Sequence, residues 1–377
     1  MIPSRSPHRR EFLAATSASL AALFLPAGSR GDEPKIEKGI VWHDLRNWGV
    51  EGRPWNDTAR YFDRLPAKAE KSVRKAVWDL SRHSAGMLAR FETDAKEIHI
   101  RYKLLSPSLA MNHMPATGVS GVDLYFRNAE GHDRWLAVTR PSAQQVEGLL
   151  AGDIEPTPKK EPRRYTIYLP LYNGIDSLEI GFPQASQANL LPPRKEKSIL
   201  FYGTSIMQGG CCSRPGMAIP AIVGRRLDRP TINLGFSGNG KMEPEVGALL
   251  AELDPAVFVI DCVPNNSAAE VLEKTEPLVR QLRAARAETP ILLVEGRPFA
   301  NSSFRGGSRL AHQQSSENLR KTFEKLVAAG DKHLHYLPGD KLIGDDGEAT
   351  VDGSHPTDLG MVRYADEYEK SLRKILG

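Results

Sequence analysis

Two rhythms of apolar and polar positions divide the chain. Ahead of residue 185, apolar side chains recur at every second position. Ile98, Ile100 and Tyr102 alternate with His99 and Arg101, and Tyr165, Ile167 and Leu169 alternate with Thr166 and Tyr168. Leu178, Ile180 and Phe182 repeat the spacing after the turn pair Asn173-Gly174. Period two buries one face of a strand and wets the other, as in an antiparallel sheet. Short strands punctuated by turns predict an all-β, jelly-roll-like sandwich over residues 36–185, with one helical stretch at Ala67–Leu80.

Beyond a Pro- and charge-rich connector at 186–197, which contains Pro192-Pro193, the rhythm changes. Continuous apolar runs at Ser198–Tyr202, Thr231–Leu234, Val257–Cys262, Ile291–Val294 and His333–Leu337 read as buried strands. Helical stretches at Ala218–Leu227, Glu243–Leu253, Leu319–Ala328 and Leu359–Leu376 stand between and after them. Ser267 and Glu270 form a capping-box pair opening a short helix, and Pro277 suits the first turn of another at Pro277–Arg286. Strands alternating with helices predict an α/β domain over residues 198–377, its parallel sheet covered on both faces.

Composition changes this picture little, except at the N-terminus. Lys and Arg number 50 against 46 Asp and Glu, a net charge of +4. Residues 1–31 hold Arg5, Arg9, Arg10 and Arg30 against Glu11, so +3 of that charge lies there and +1 in the remainder. Bulk charge therefore gives no case for a nucleic-acid partner. Arg9-Arg10-Glu11-Phe12-Leu13, the Ala-rich apolar stretch to Ala27 and the small residues after it have the order of a twin-arginine export signal over residues 1–31. This predicts a periplasmic or extracellular protein. The stretch is shorter than a membrane span, and no later segment is long and apolar enough for stable membrane insertion. The 3 cysteines, Cys211, Cys212 and Cys262, cannot make a disulfide framework. They read as packing residues, with one bridge from Cys262 as an alternative.

Candidate chemistry gathers at the carboxyl ends of the predicted parallel strands, where such sheets place their sites. The first strand runs into Gly203-Thr204-Ser205, a turn that can expose a serine hydroxyl; Met207 replaces the second glycine of a Gly-x-Ser-x-Gly elbow. The second runs into Gly235-Phe236-Ser237-Gly238-Asn239-Gly240, where glycines let a backbone N–H approach a ligand. The third ends before Pro264-Asn265-Asn266; either amide can donate to a developing oxyanion or cap a helix. Pro264 should push Val263 toward extended geometry. Asp352-Gly353-Ser354-His355 supplies a base and the carboxylate that orients it. Arg297 ends the fourth strand on the same rim, a possible substrate-binding residue with a salt bridge as the alternative. His113, ahead of Gly121, can reach the cleft from the sandwich. His333 and His335 alternate without an acidic or cysteine partner at metal-like spacing, so no metal site is read from them.

In that order, Ser205, Gly238, Asn265 and Asp352/His355 resemble the conserved blocks of the SGNH, or GDSL-like, hydrolases. Gly203-Thr204-Ser205 stands for Gly-Asp-Ser, and Pro264-Asn265 for the usual Gly-Asn. Gly121-Val122-Asp123-Leu124-Tyr125 resembles the N-terminal module that precedes some SGNH-type esterases. The resemblance implies a flavodoxin-like three-layer α/β/α hydrolase domain. It also implies a Ser205 nucleophile, a His355 base oriented by Asp352, and an oxyanion hole of the Ser205 and Gly238 N–H groups with the Asn265 amide. No cofactor is implied. With export and a sandwich companion, the expected substrate is a short-chain, acetyl-type ester on carbohydrate or another small molecule. The alternatives are a general or lipid esterase, which the lack of an amphipathic lid disfavours, an acyltransferase, and a non-catalytic glycan-binding protein.

Overall fold

The strands with period two pair as antiparallel ribbons. In the computed structural model, which describes residues 35–157 and 161–377, ten strands form two five-stranded antiparallel sheets. One runs in the order Lys35–Glu37, Ile40–Asp44, Ile175–Pro183, Ile98–Leu104, Gln145–Ala151. The other runs Ala188–Leu191, Leu88–Thr93, Arg163–Tyr168, Asp123–Arg127, Asp133–Val138. Register puts Ile100 opposite Ile180 and Tyr102 opposite Leu178. These side chains join Phe91, Leu124, Tyr165, Ile167 and Phe182 in the sandwich core. Part of the expected connector is sheet: Ala188–Leu191 pairs with Leu88–Thr93 as an edge strand. The export signal read at 1–31 lies outside the described residues.

The second half forms a parallel sheet of five strands: Ile199–Gly203, Thr231–Gly235, Val257–Asp261, Ile291–Val294 and Leu334–Leu337. In space the order is second, first, third, fourth, fifth, with every pairing parallel. The first three are buried at all positions, as strands covered on both faces must be. Leu200, Tyr202, Phe258 and Ile260 face helices Pro244–Ala251, Ala268–Ala285 and Gly306–Ala328. Ile199, Phe201, Val257 and Val259 face helices Ile219–Arg226 and Asp358–Leu376. This is the flavodoxin-like three-layer arrangement.

Three elements differ from expectation. The two short helices read around Pro277 are one, Ala268–Ala285, with its capping box at Ser267 and Glu270. An internal proline costs roughly 3 kcal/mol. Here it lies on the exposed side, and Val271, Thr275, Leu278, Val279 and Leu282 form an unbroken buried stripe across it. The helix expected from Leu319 starts at Gly306, because its first turns are solvated and carry no apolar stripe to read.

The third difference concerns which core the N-terminal region serves. Trp55, Leu65, Ala69, Val73, Val77 and Trp78 pack on the parallel sheet, not in the sandwich. Ala85, Met114, Val119, Leu171 and Tyr172 join the core on its other face. Residues 34–377 accordingly form one compact unit. Among the described residues, no helix is long and apolar enough to cross a membrane.

Candidate active site

Ser205 opens a four-residue helix, Ser205–Gln208, directly after the first parallel strand. Thr204 caps it, its hydroxyl accepting from the Ile206 N–H, and Gly209 closes it in left-handed geometry. As the first helical residue, Ser205 has no intrahelical acceptor for its own N–H. Its side chain is 6% exposed. Ser205 Oγ lies 2.9 Å from His355 Nε2, and His355 Nδ1 lies 2.7 Å from Asp352 Oδ2. The three side chains thus form one hydrogen-bonded line. Asp352 Oδ1 accepts from the N–H groups of Ser354 and His355 at 2.9 and 2.8 Å. Partial burial raises the acid's pKa, but these bonds and the His355 ring outweigh it and hold Asp352 at about 2.

The glycines at and after the end of the second strand have separate causes. Gly235 abuts the Ser205–Gln208 turn, and a Cβ there would come within 2.1 Å of the Gln208 backbone nitrogen. Gly238 has φ +67 with open space around it, so left-handed geometry selects glycine and leaves its N–H approachable. Among the described residues, that N–H donates to no protein acceptor.

The two asparagines resolve differently. Asn266 Nδ2 is spent on two carbonyls, Gly240 O at 3.2 Å and Cys262 O at 2.7 Å. Asn265 Oδ1 accepts from the Gly240 N–H at 3.1 Å, which fixes the amide plane and leaves Nδ2 without a protein acceptor among the described residues. Ser267, not either asparagine, caps the following helix. Val263–Asn265 is a 3-10 turn rather than the extended approach expected before Pro264, whose fixed φ suits a first helical turn. That turn holds the amide stiff without the usual glycine.

Arg297 is more enclosed than a rim position suggests. It is 3% exposed, donates from Nε to Ser354 O at 3.1 Å and from Nη2 to Ser354 Oγ, and lies over the Phe299 ring. Through Nε and Nη2 it ties down the Asp352–His355 loop, and among the described residues it makes no salt bridge. Cys211, Cys212 and Cys262 are free and buried, which also sets aside the disulfide alternative. Burial pushes the Cys211 thiol up to about 11. Among the described residues, no cluster of three His, Cys, Asp or Glu side chains could hold a metal.

Several supporting residues escaped the sequence reading. Gln208, fully buried, accepts from the Ser237 N–H through Oε1 at 3.0 Å. Its Nε2 donates to His83 Nδ1 at 3.0 Å and Leu171 O at 3.1 Å. Burial, with Arg64 nearby, drops the His83 pKa to about 3, so its ring is neutral and Nδ1 can accept. Arg64 itself is fully buried and donates to four carbonyls: His83, Leu80, Asn233 and Gly235. Asp123 takes Arg214 Nη1, the Gly216 N–H and Trp135 Nε1, clamping the segment after the Ser205–Gln208 helix. The available signal was a charged residue inside an apolar run, Phe62-Asp63-Arg64-Leu65 and Val122-Asp123-Leu124. His113 does reach the site, its ring centroid 6.4 Å from that of His355.

Comparison with known proteins gives the family and the fold. Residues 196–373 match the GDSL-like lipase/acylhydrolase family, and residues 40–188 match the GxDLY N-terminus of SGNH-hydrolase-type esterases. A protein from Bacteroides ovatus described as a GDSL-like lipase is 31% identical, with a TM-score of 0.84 over 89% of this chain and 98% of that one. More distant in sequence, and alike in fold, are two others. The salicylyl-acyltransferase SsfX3 of a tetracycline biosynthetic pathway is 15% identical, with TM-score 0.67 over 91% and 96% of the two chains. The acetyl xylan esterase Est2A of the rumen bacterium Butyrivibrio proteoclasticus is 13% identical, with TM-score 0.54 over 90% and 99%. No curated protein matches the sequence. The two family matches in tandem and the full-length likeness to the Bacteroides protein place this chain in the GDSL-like, or SGNH, hydrolase family.

Proposed function

We propose that the protein is an exported serine esterase that removes short acyl groups, acetyl above all, from carbohydrate. The observation that carries the reading is the line Ser205 Oγ–His355 Nε2–Asp352 beside three unspent donors, Ser205 N–H, Gly238 N–H and Asn265 Nδ2. His355 Nε2 takes the Ser205 proton as Oγ attacks the ester carbonyl. Asp352 holds the Nδ1–H tautomer and steadies the imidazolium. The three donors hold the tetrahedral oxyanion; one of them contributes roughly 3–4 kcal/mol of barrier lowering. The alcohol leaves with the proton from His355, and water, deprotonated by the same ring, releases the acid from Ser205. The two-part architecture shared with carbohydrate esterases supports the substrate class by likeness of fold, and the arginine pair Arg9-Arg10 supports export.

Assay on acetylated xylan, p-nitrophenyl acetate and longer acyl esters tests the reading. Ser205→Ala should fold normally and lose at least about a thousandfold in kcat. Substantial turnover by that variant would remove Ser205 as nucleophile, and preference for long acyl chains would remove the acetyl assignment. Analysis of products with added sugar separates hydrolysis from transfer. Arg9→Lys with Arg10→Lys should retain the precursor in the cytoplasm; normal export would refute the twin-arginine route.

A further inference from the structure

The proposed reaction leaves one side chain beside the base without a task. Met111 and Met114 exchange both backbone hydrogen bonds, at 2.9 and 3.2 Å, and close a tight turn with Asn112 and His113 at its tip. Met114 is 2% exposed and packs in the core that holds Ile206, Met207 and Cys212. Just beyond it, Thr117 Oγ1 donates to Ser213 O at 2.6 Å, and Gly118 lies so near Cys212 that a Cβ would come within 2.1 Å of its carbonyl oxygen. The turn is therefore bolted to the segment that follows Ser205. Its tip cannot swing aside without unpacking that core, yet the tip itself is exposed.

His113 Nδ1 lies 2.6 Å from Asn112 Oδ1. The amide oxygen accepts, so Nδ1 carries a hydrogen and Nε2 is left for another partner. His113 is not a second relay for the base, because both His355 nitrogens are engaged, by Ser205 and by Asp352. Nor does an exposed ring on a turn tip serve the core. What lies beside His355 during the reaction is the departing alcohol, which must collect its proton from that ring. A ring held 6.4 Å from that of His355 would be in reach of groups next to the departing oxygen.

We propose that His113, oriented by Asn112, contacts the alcohol half of the ester and selects alcohols carrying further hydroxyl groups, as carbohydrates do. This rests on the esterase reading above. The test compares full-length wild type, His113→Ala and Asn112→Ala on two probes: partly acetylated xylo-oligosaccharides, and ethyl acetate, whose alcohol has no second hydroxyl. One lost hydrogen bond should lower kcat/KM on the sugar ester about tenfold in His113→Ala and about threefold in Asn112→Ala. Ethyl acetate should stay within about twofold, and the thermal midpoint should not move. Equal loss on both probes would mean that His113 acts through His355, and no loss on either would make it a bystander; each overturns the proposal. Wild type without preference for the hydroxylated ester also overturns it while leaving the esterase reading standing. No turnover of any ester by wild type removes the esterase reading, and this inference with it.

Discussion

The C-terminal region carries the groups that would react, and the N-terminal region carries what keeps them aimed. Ser205, Gly238, Asn265, Asp352 and His355 all stand at the ends of parallel strands or in the last loop. Arg64, Asp123 and Tyr172 stand in the N-terminal region and reach across to backbone atoms around them, and His83 there accepts from the Gln208 side-chain amide. The two halves also differ in how they bury surface. The sandwich closes its own core, whereas the parallel sheet borrows Trp55 to Trp78 to finish one face and Ala85, Met114, Val119, Leu171 and Tyr172 to finish the other. Ser205, on a short, four-residue helix, has little local structure to hold it; its neighbours are fixed from the N-terminal region.

The strongest way to break this comparison is to separate the halves. Residues 198–377 alone would expose the sheet surface that Trp55, Leu65, Val77 and Trp78 cover, and would leave the Asn233 and Gly235 carbonyls without Arg64. The fragment should show no cooperative melting transition and no ester turnover; a sharp transition with full activity would reduce the N-terminal region to a passenger.

The next test lies wholly within the reacting half. Asn265→Ala should lower kcat by roughly 100–1000-fold with little change in KM. Asn266→Ala should keep kcat near wild type and cost about 1–3 kcal/mol in denaturant unfolding, since it frees two buried carbonyls. Exchange of these two outcomes would move the oxyanion donor by one residue.

A smaller effect is expected where the halves meet. Gln208→Ala cuts the bridge from His83 and Leu171 to the Ser237 N–H, next to Gly238. kcat should fall about tenfold, more than KM rises, as one hydrogen bond's worth of aim is lost. Stability loss with unchanged kinetics below the melting range would make Gln208 a packing residue only.

The smallest effect concerns Asp352, whose carboxyl is half exposed. Its folded pKa of about 2 lies below the ordinary 3.8, so the ionised form stabilises the fold above about pH 4. That contribution fades as pH falls toward 2. Given the exposure, it should be under about 1 kcal/mol. The stability gap between wild type and Asp352→Asn should therefore shrink over that window; a gap that widens toward acid would contradict the hydrogen bonds assigned to Asp352.

Local pattern reached far into this molecule. Alternation at Ile98–Tyr102 and continuous burial at Val257–Asp261 follow from how many faces of a strand are covered, and both are written in nearest neighbours. The order Ser205, Gly238, Asn265, Asp352-x-x-His355 was legible because a parallel sheet gathers the ends of its strands on one rim. What only the tertiary structure decided lies where partners are distant in sequence. Asn265 and Asn266 are chemically identical neighbours, and contacts to Gly240, some 25 positions away, tell them apart. Arg297 reads as an open cation until Ser354 closes over it. His113 gains its place beside His355 across 242 residues of chain (355 − 113), through a turn whose two closing methionines look like any others. Spacing along a chain specifies faces and ends; which side chain is spent on a carbonyl and which is left free depends on folding that brings remote carbonyls within hydrogen-bond reach.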